Sequence, residues 1–108
     1  MRKLWIKEEY LQQILGGEKS VEVRVGYPNI LRLNAGDIVH LNERYPATIR
    51  RVARYASFVE LLAKEAAGAI APGLSEEALL STLRSIYPPE KEALGVIALE
   101  LALRSPSD

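Results

Sequence analysis

Three valines at every second position, Val21, Val23 and Val25, interleaved with Glu22 and Arg24, constrain this chain more than any other stretch. In extended backbone successive side chains point to opposite faces. A strand from Lys19 to Val25 therefore turns the valines toward a core and points Ser20, Glu22 and Arg24 the other way, where chemistry is possible. Gly16 and Gly17 precede it, after a short helical pattern, and suit a helix C-terminus. Gly17, Lys19, Glu22 and Arg24 thus gather where a helix hands over to a strand.

The remaining pattern reads as alternating short elements. Arg2 to Lys7 is expected to be a strand, and Glu8 to Leu15 a helix with Leu11, Ile14 and Leu15 on one face. Turns fall at Tyr27-Pro28-Asn29 and Asn34 to Asp37, followed by a strand from Ile38 to Glu43, a reversal at Tyr45-Pro46 and an Arg-rich strand from about Ala47 to Arg54. Ser57-x-x-Glu60 is a capping-box signature for a helix carrying Phe58, Leu61 and Leu62. After Pro72-Gly73, Ser75 caps another helix whose core face is Leu79, Leu80, Leu83 and Ile86. Gly95 to Leu99 is almost wholly apolar, as a strand covered on both faces would be.

A chain of 108 residues, 48% hydrophobic, makes one compact domain, expected over residues 1–104 with a frayed tail at 105–108. Without cysteine and with His40 alone, metal sites built on Cys or His clusters are excluded, and no cofactor is expected. Fourteen basic residues balance fourteen acidic ones, so any nucleic-acid site has to be local. The apolar part of Met1 to Lys7 is too short for a signal peptide, and Ala93 to Leu99 falls far short of the roughly 20 residues of a membrane span. A cytoplasmic protein without a membrane partner is the expectation, with oligomeric state and protein partners open.

The pattern Gly-x-Lys-x-x-Glu-x-Arg, complete at Gly17, Lys19, Glu22 and Arg24, resembles the signature of the ASCH domain family. Ala35 to Val39, Tyr55 to Phe58 and Ile86-Tyr87-Pro88 extend that resemblance over nearly the whole chain. It implies an α+β fold, a PUA-like mixed β-barrel of about five to six strands with two to three flanking helices, the Gly95 to Leu99 strand closing the barrel at its centre. It implies, too, a cleft between barrel and helices that holds RNA or a nucleotide-like small molecule, with Gly17, Lys19, Glu22, Arg24 and Tyr87 as ligand-binding residues. The family also includes acetylcytidine amidohydrolases, in which a lysine, a threonine and a glutamate act together, and proteins described as single-strand ribonucleases. In an enzyme of that kind Lys19 and Glu22 would be catalytic, although Glu22 stands where the amidohydrolases have threonine. A protein-interaction role is a third implication, because the family takes its name from a transcription coactivator.

Each candidate has a plainer reading. Lys19, Glu22 and Arg24 also fit a solvated strand face with ion pairs. Arg50, Arg51 and Arg54, with Tyr55, Arg44 and Tyr45, could contact RNA phosphates and bases, or be balanced by Glu43, Glu60 and Glu65 with the tyrosines packed at the rim. Strand alternation separates Arg51 from Arg50 and Arg54 unless a bulge intervenes. Trp5, between Leu4 and Ile6, is expected to anchor the core or rim, His40 to lie on a polar face, Glu90 and Glu92 to solubilise a turn, and Glu65 is a candidate for completing the cleft.

Overall fold

Residues 2–104, the part of the chain that the computed structural model describes, form five strands and six helical segments. In chain order these are β1 (Arg2–Leu4), α1 (Glu8–Leu15), β2 (Val21–Val25), α2 (Pro28–Leu31), β3 (Ile38–Leu41), β4 (Tyr45–Tyr55), α3 (Phe58–Lys64), α4 (Ala67–Ile70), α5 (Glu76–Ile86), α6 (Pro89–Glu92) and β5 (Val96–Leu103). The sheet order is β1-β3-β4-β5-β2, curled into a half-barrel, which is the α+β, PUA-like architecture expected. Six helical segments exceed the two to three anticipated because three of them, α2, α4 and α6, are four-residue turns of helix. The tail at 105–108 lies outside the described residues.

Apolar packing on both sides of the sheet explains the sequence of β5. Ile97, Leu99 and Leu101 join α1, α2, β1 and β3 in one buried cluster, while Val96 and Ala98 join the valines of β2 and the faces of α3 and α5 in the other. A strand buried on both faces has no reason to alternate. β5 pairs antiparallel with β4 and β2, so it is the penultimate strand and the central place belongs to β4. β2 pairs only with β5, which leaves its other edge open.

Local chemistry sets the element ends. Gly17 takes a left-handed φ of 82° after α1, and the Gly17 and Glu18 amides donate to Ile14 and Gln13, the paired bonds of a Schellman turn. The hydroxyls of Ser57 and Ser75 accept from the amides of Glu60 and Ala78, capping α3 and α5. The chain reverses after β3 at Asn42 and Glu43, both with positive φ, rather than at Tyr45-Pro46, which already belong to β4. Asn42 explains why β1 stops at Leu4: its side-chain amide accepts from the Ile6 N–H and donates to the Ile6 carbonyl, replacing ladder bonds that would have continued the strand.

A register shift between Ile49 and Arg51 makes Arg50 the extra residue of a bulge in β4. Ala47 and Ile49 therefore pack in the first cluster, yet Ala53 and Tyr55, of the same parity, pack in the second.

Candidate functional site

The open edge of β2 forms one wall of a cleft of about 240 Å³. The Trp5–Lys7 segment and Tyr10 face it from one side, and Leu83, Ile86 and Tyr87 close it from the other. Ile86 is therefore cleft wall, 58% exposed, and not the core residue its helical spacing predicts. Trp5 departs likewise from the expected anchor: it lies beyond the end of β1, 64% exposed.

Lys19 approaches this edge from the valine side, as its parity requires, and is buried. Its Nζ donates to the carbonyls of Val21 and Ile70, both at 2.6 Å, and lies 3.2 Å from Glu22 Oε1. Glu22 comes from the opposite face, and the two meet because no further strand covers β2. The other Glu22 oxygen lies 2.8 Å from Arg24 Nε and from Arg24 Nη2, and Arg24 also donates to the Trp5 carbonyl. That last bond ties the aromatic wall to the charged one.

An ammonium has three N–H donors. With two carbonyls, a carboxylate and no donor around it, Lys19 is held as the cation and its hydrogens are spent. Burial pulls its pKa below the ordinary value of 10.5, and neighbouring Glu22 opposes that pull. Glu22 Oε1, with Lys19 as its one partner among the described residues, keeps acceptor capacity, and the residue lines the cleft. Burial also raises the Tyr87 phenol.

The backbone adds a further pair of groups. In the β2–β5 ladder, Leu101 donates to the Ser20 carbonyl and Gly26 to that of Gly95, so the even-numbered residues of β2 carry the inter-strand bonds. Val21, Val23 and Val25 then turn their N–H and C=O groups to the open edge. Lys19 takes the Val21 carbonyl and the Tyr27 amide takes that of Val25. Val23, which lines the cleft, has no protein partner for either backbone group among the described residues.

Comparison with known proteins agrees with this fold. The family model described as "ASCH domain" matches residues 4–104. The chain belongs to the ASCH domain family. Its fold is similar to the crystal structure of hypothetical protein PH0355, with a TM-score of 0.90 and 29% identity over 96% of this chain and 100% of that one. It is also similar to the solution structure of PF0455 from Pyrococcus furiosus, with a TM-score of 0.78 and 28% identity over 94% and 96% of the two chains. No curated protein matches the sequence.

In this ASCH domain, Lys19, Glu22, Arg24 and Tyr87 come together at the cleft, and the other sequence candidates lie elsewhere. Gly17 is not among the lining residues; its left-handed turn serves the handover from α1. Arg51 gives a bidentate pair to Glu65, at 2.7 and 2.8 Å, and its Nε lies 3.2 Å from Glu100. The Tyr55 hydroxyl also donates to Glu65. Arg51 holds the Glu65 carboxyl below its ordinary value, against the opposing pull of burial. Glu65 does not complete the cleft, and neither Arg51 nor Tyr55 lines it. Arg54 stands in register with Ile97, as Arg24 does from β2, and donates to the Leu31 carbonyl. Arg50 projects from the bulge, exposed. Arg50, Arg51 and Arg54 thus do not form one patch. Glu92 is no mere solubiliser, since it accepts from the Phe58 amide at the start of α3.

Among the described residues no group of His, Cys, Asp or Glu could hold a metal ion, and no helix is long and apolar enough to cross a membrane.

Proposed function

We propose that this ASCH domain binds RNA or a nucleotide-like molecule by enclosing one base in the cleft along β2. The supporting observation is the wall itself: Glu22, fixed between two cations, stands beside the unpartnered N–H and C=O of Val23, with aromatic rings at the rim. A base edge carries donors and acceptors side by side, and a buried backbone pair needs such a partner or water. Trp5 and Tyr87 supply faces for stacking, a mode suited to unpaired bases. The cleft is smaller than the roughly 300–1,000 Å³ of drug-sized sites, which fits one ring system rather than an enclosed oligomer. In this reading Glu22 contacts the ligand and Lys19 positions Glu22.

Hydrolysis of a modified nucleoside, or of single-stranded RNA, is the second reading, and the Thr82 and Tyr87 side chains at the cleft are what keeps it in view. It fits less well, because Lys19 has no hydrogen to give a substrate and Thr82 Oγ1 donates to the Ala78 carbonyl.

Trp5 is the chain's single tryptophan, so its fluorescence reports on the cleft alone. Nucleosides, modified nucleosides and short single-stranded RNAs are expected to quench it, whereas ribose 5-phosphate, which lacks a base, is not. Equal quenching by ribose 5-phosphate, or none by any base, would sink the binding reading. Mass spectrometry of the same mixtures, with product that disappears in Glu22→Gln, would decide for the hydrolase.

A further inference from the structure

A second groove, of about 330 Å³, runs along the other side of the N-terminal strand between β1 and α2. Arg2, Lys3, Arg32 and Asn29 line it over a floor that includes Ile30 and Leu33, and no carboxylate does. In a chain with no net charge, three cations on one groove are a local concentration that composition hides. The chain leads from one to the other, since Arg2 to Leu4 line the groove and Trp5 to Lys7 line the cleft. Three residues of extended chain, about 10 Å, separate Arg2 from Trp5.

The existing partners of these cations are weak or leave donors free. Arg2 Nη1 donates to the Arg32 carbonyl and lies 3.5 Å from Asp37, with the rest of its guanidinium open. Lys3 pairs with Glu43 on the surface, both side chains about half exposed, where an ion pair is worth roughly 0–1 kcal/mol. Arg32 has no carboxylate partner among the described residues. At the cleft and around Glu65, by contrast, the cations are engaged: Lys19 and Arg24 by Glu22, and Arg51 by Glu65 and Glu100.

We infer that the β1–α2 groove is a phosphate subsite, carrying the backbone of a single-stranded RNA that places one base in the cleft; this rests on the cleft's being a base site. The cleft discriminates by edge and ring, and the groove adds sequence-independent affinity. Arg2 and Arg32, with planar guanidinium donors, are the principal contacts, and Asn29 adds a neutral donor.

The test compares wild type with R2Q/R32Q, both sites being on the surface. The probes are a nucleoside, read by Trp5 fluorescence, and a fluorescein-labelled RNA hexamer, read by anisotropy between 50 and 200 mM salt, values chosen around the range where counterion release is strong. In the double variant nucleoside binding is expected to stay within about twofold of wild type. Hexamer affinity should fall about tenfold at low salt, and the slope of log K against log salt should flatten by about 1.4, or 0.7 for each of two lost contacts. An unchanged hexamer slope overturns the groove and leaves the cleft standing. Hexamer binding that is lost in R2Q/R32Q but indifferent to Glu22→Gln keeps the groove as a phosphate site and sinks the cleft as the base site. Failure of wild type to bind the hexamer overturns the subsite.

Discussion

Two clusters in this molecule have the same ingredients. In one, Glu22 lies between Lys19 and Arg24; in the other, Glu65 lies between Arg51 and Tyr55, with Glu100 on the far side of the arginine. Each puts a largely buried carboxylate against at least one cation, and each perturbs a titrating group. They differ in what stands beside the carboxylate. Both Glu65 oxygens take arginine, one takes the phenol as well, and the residue does not line the cleft. Glu22 is contacted as fully, one oxygen by Lys19 and the other by Arg24, but it stands beside a void walled by aromatic rings and an unpaired stretch of strand edge. Paired charges and shifted pKa values are therefore poor markers of a site unless space for a ligand stands next to them.

The sharpest way to break that contrast is to remove one cation from each cluster. Lys19→Met leaves two carbonyls without a donor and Glu22 with a single partner. Breaking a buried pair costs about 3–5 kcal/mol, so Tm should fall by roughly 15–25 °C. Base quenching of Trp5, measured where circular dichroism shows the variant folded, should weaken as well. Arg51→Met removes a side chain that is 42% exposed, and solvent screening limits its cost to roughly 1–2 kcal/mol with base binding intact. Equal stability losses, or lost binding in the Arg51 variant, would erase the distinction between the clusters.

A gentler comparison neutralises each carboxylate. Glu22→Gln should weaken base binding by roughly 10–100-fold, the worth of about 1.5–3 kcal/mol for a charged acceptor. Glu65→Gln should cost a similar amount of stability and leave binding unchanged. pH separates them further. The folded pKa of Glu65 is lowered, so its contribution to stability is complete above the ordinary value of 4.5 and is lost as pH falls through the lower, folded value. Acid melts of Glu65→Gln should lack that part of the decline. A variant that loses stability below pH 4.5 as steeply as wild type would mean that the carboxylate is not held as described.

Much of the framework is legible in the residues, because local rules decide it. The valine alternation of β2, the serine caps of α3 and α5, the helix end at Gly17 and the double-faced burial of β5 each follow from a few neighbours in sequence. The site is less legible, because tertiary contacts decide it. Parity puts Lys19 on the valine side, and only the open edge of β2 lets it meet Glu22. Nothing in Arg50-Arg51 announces a bulge, yet the bulge sends Arg51 to the face of Glu65 instead of to that of Ala47 and Ile49. Trp5 between two buried aliphatics reads as an anchor, and it escapes the core because the strand ends one residue earlier.

Asn42 ends that strand, and it is the residue whose chemistry a closer look at sequence could have found. Asparagine adopts left-handed backbone more readily than most residues and carries a donor and an acceptor on one short side chain. Here both uses coincide, with φ at 50° and the amide bonded to both backbone groups of Ile6. Asn42→Gly keeps the backbone conformation and deletes the amide, so its effect isolates those two bonds. The expected cost is about 1–2 kcal/mol, the smallest of the stability losses in the cleft series. With Ile6 released, Trp5 is tied to the cleft only through its carbonyl's bond to Arg24. Base quenching should then weaken about tenfold or less, with no change in the contribution of Glu65 to acid stability. If Asn42→Gly lowers stability as predicted but base quenching stays at the wild-type level, the placement of Trp5 is not what the cleft depends on, and Glu22 with the open edge of β2 holds the ligand without it.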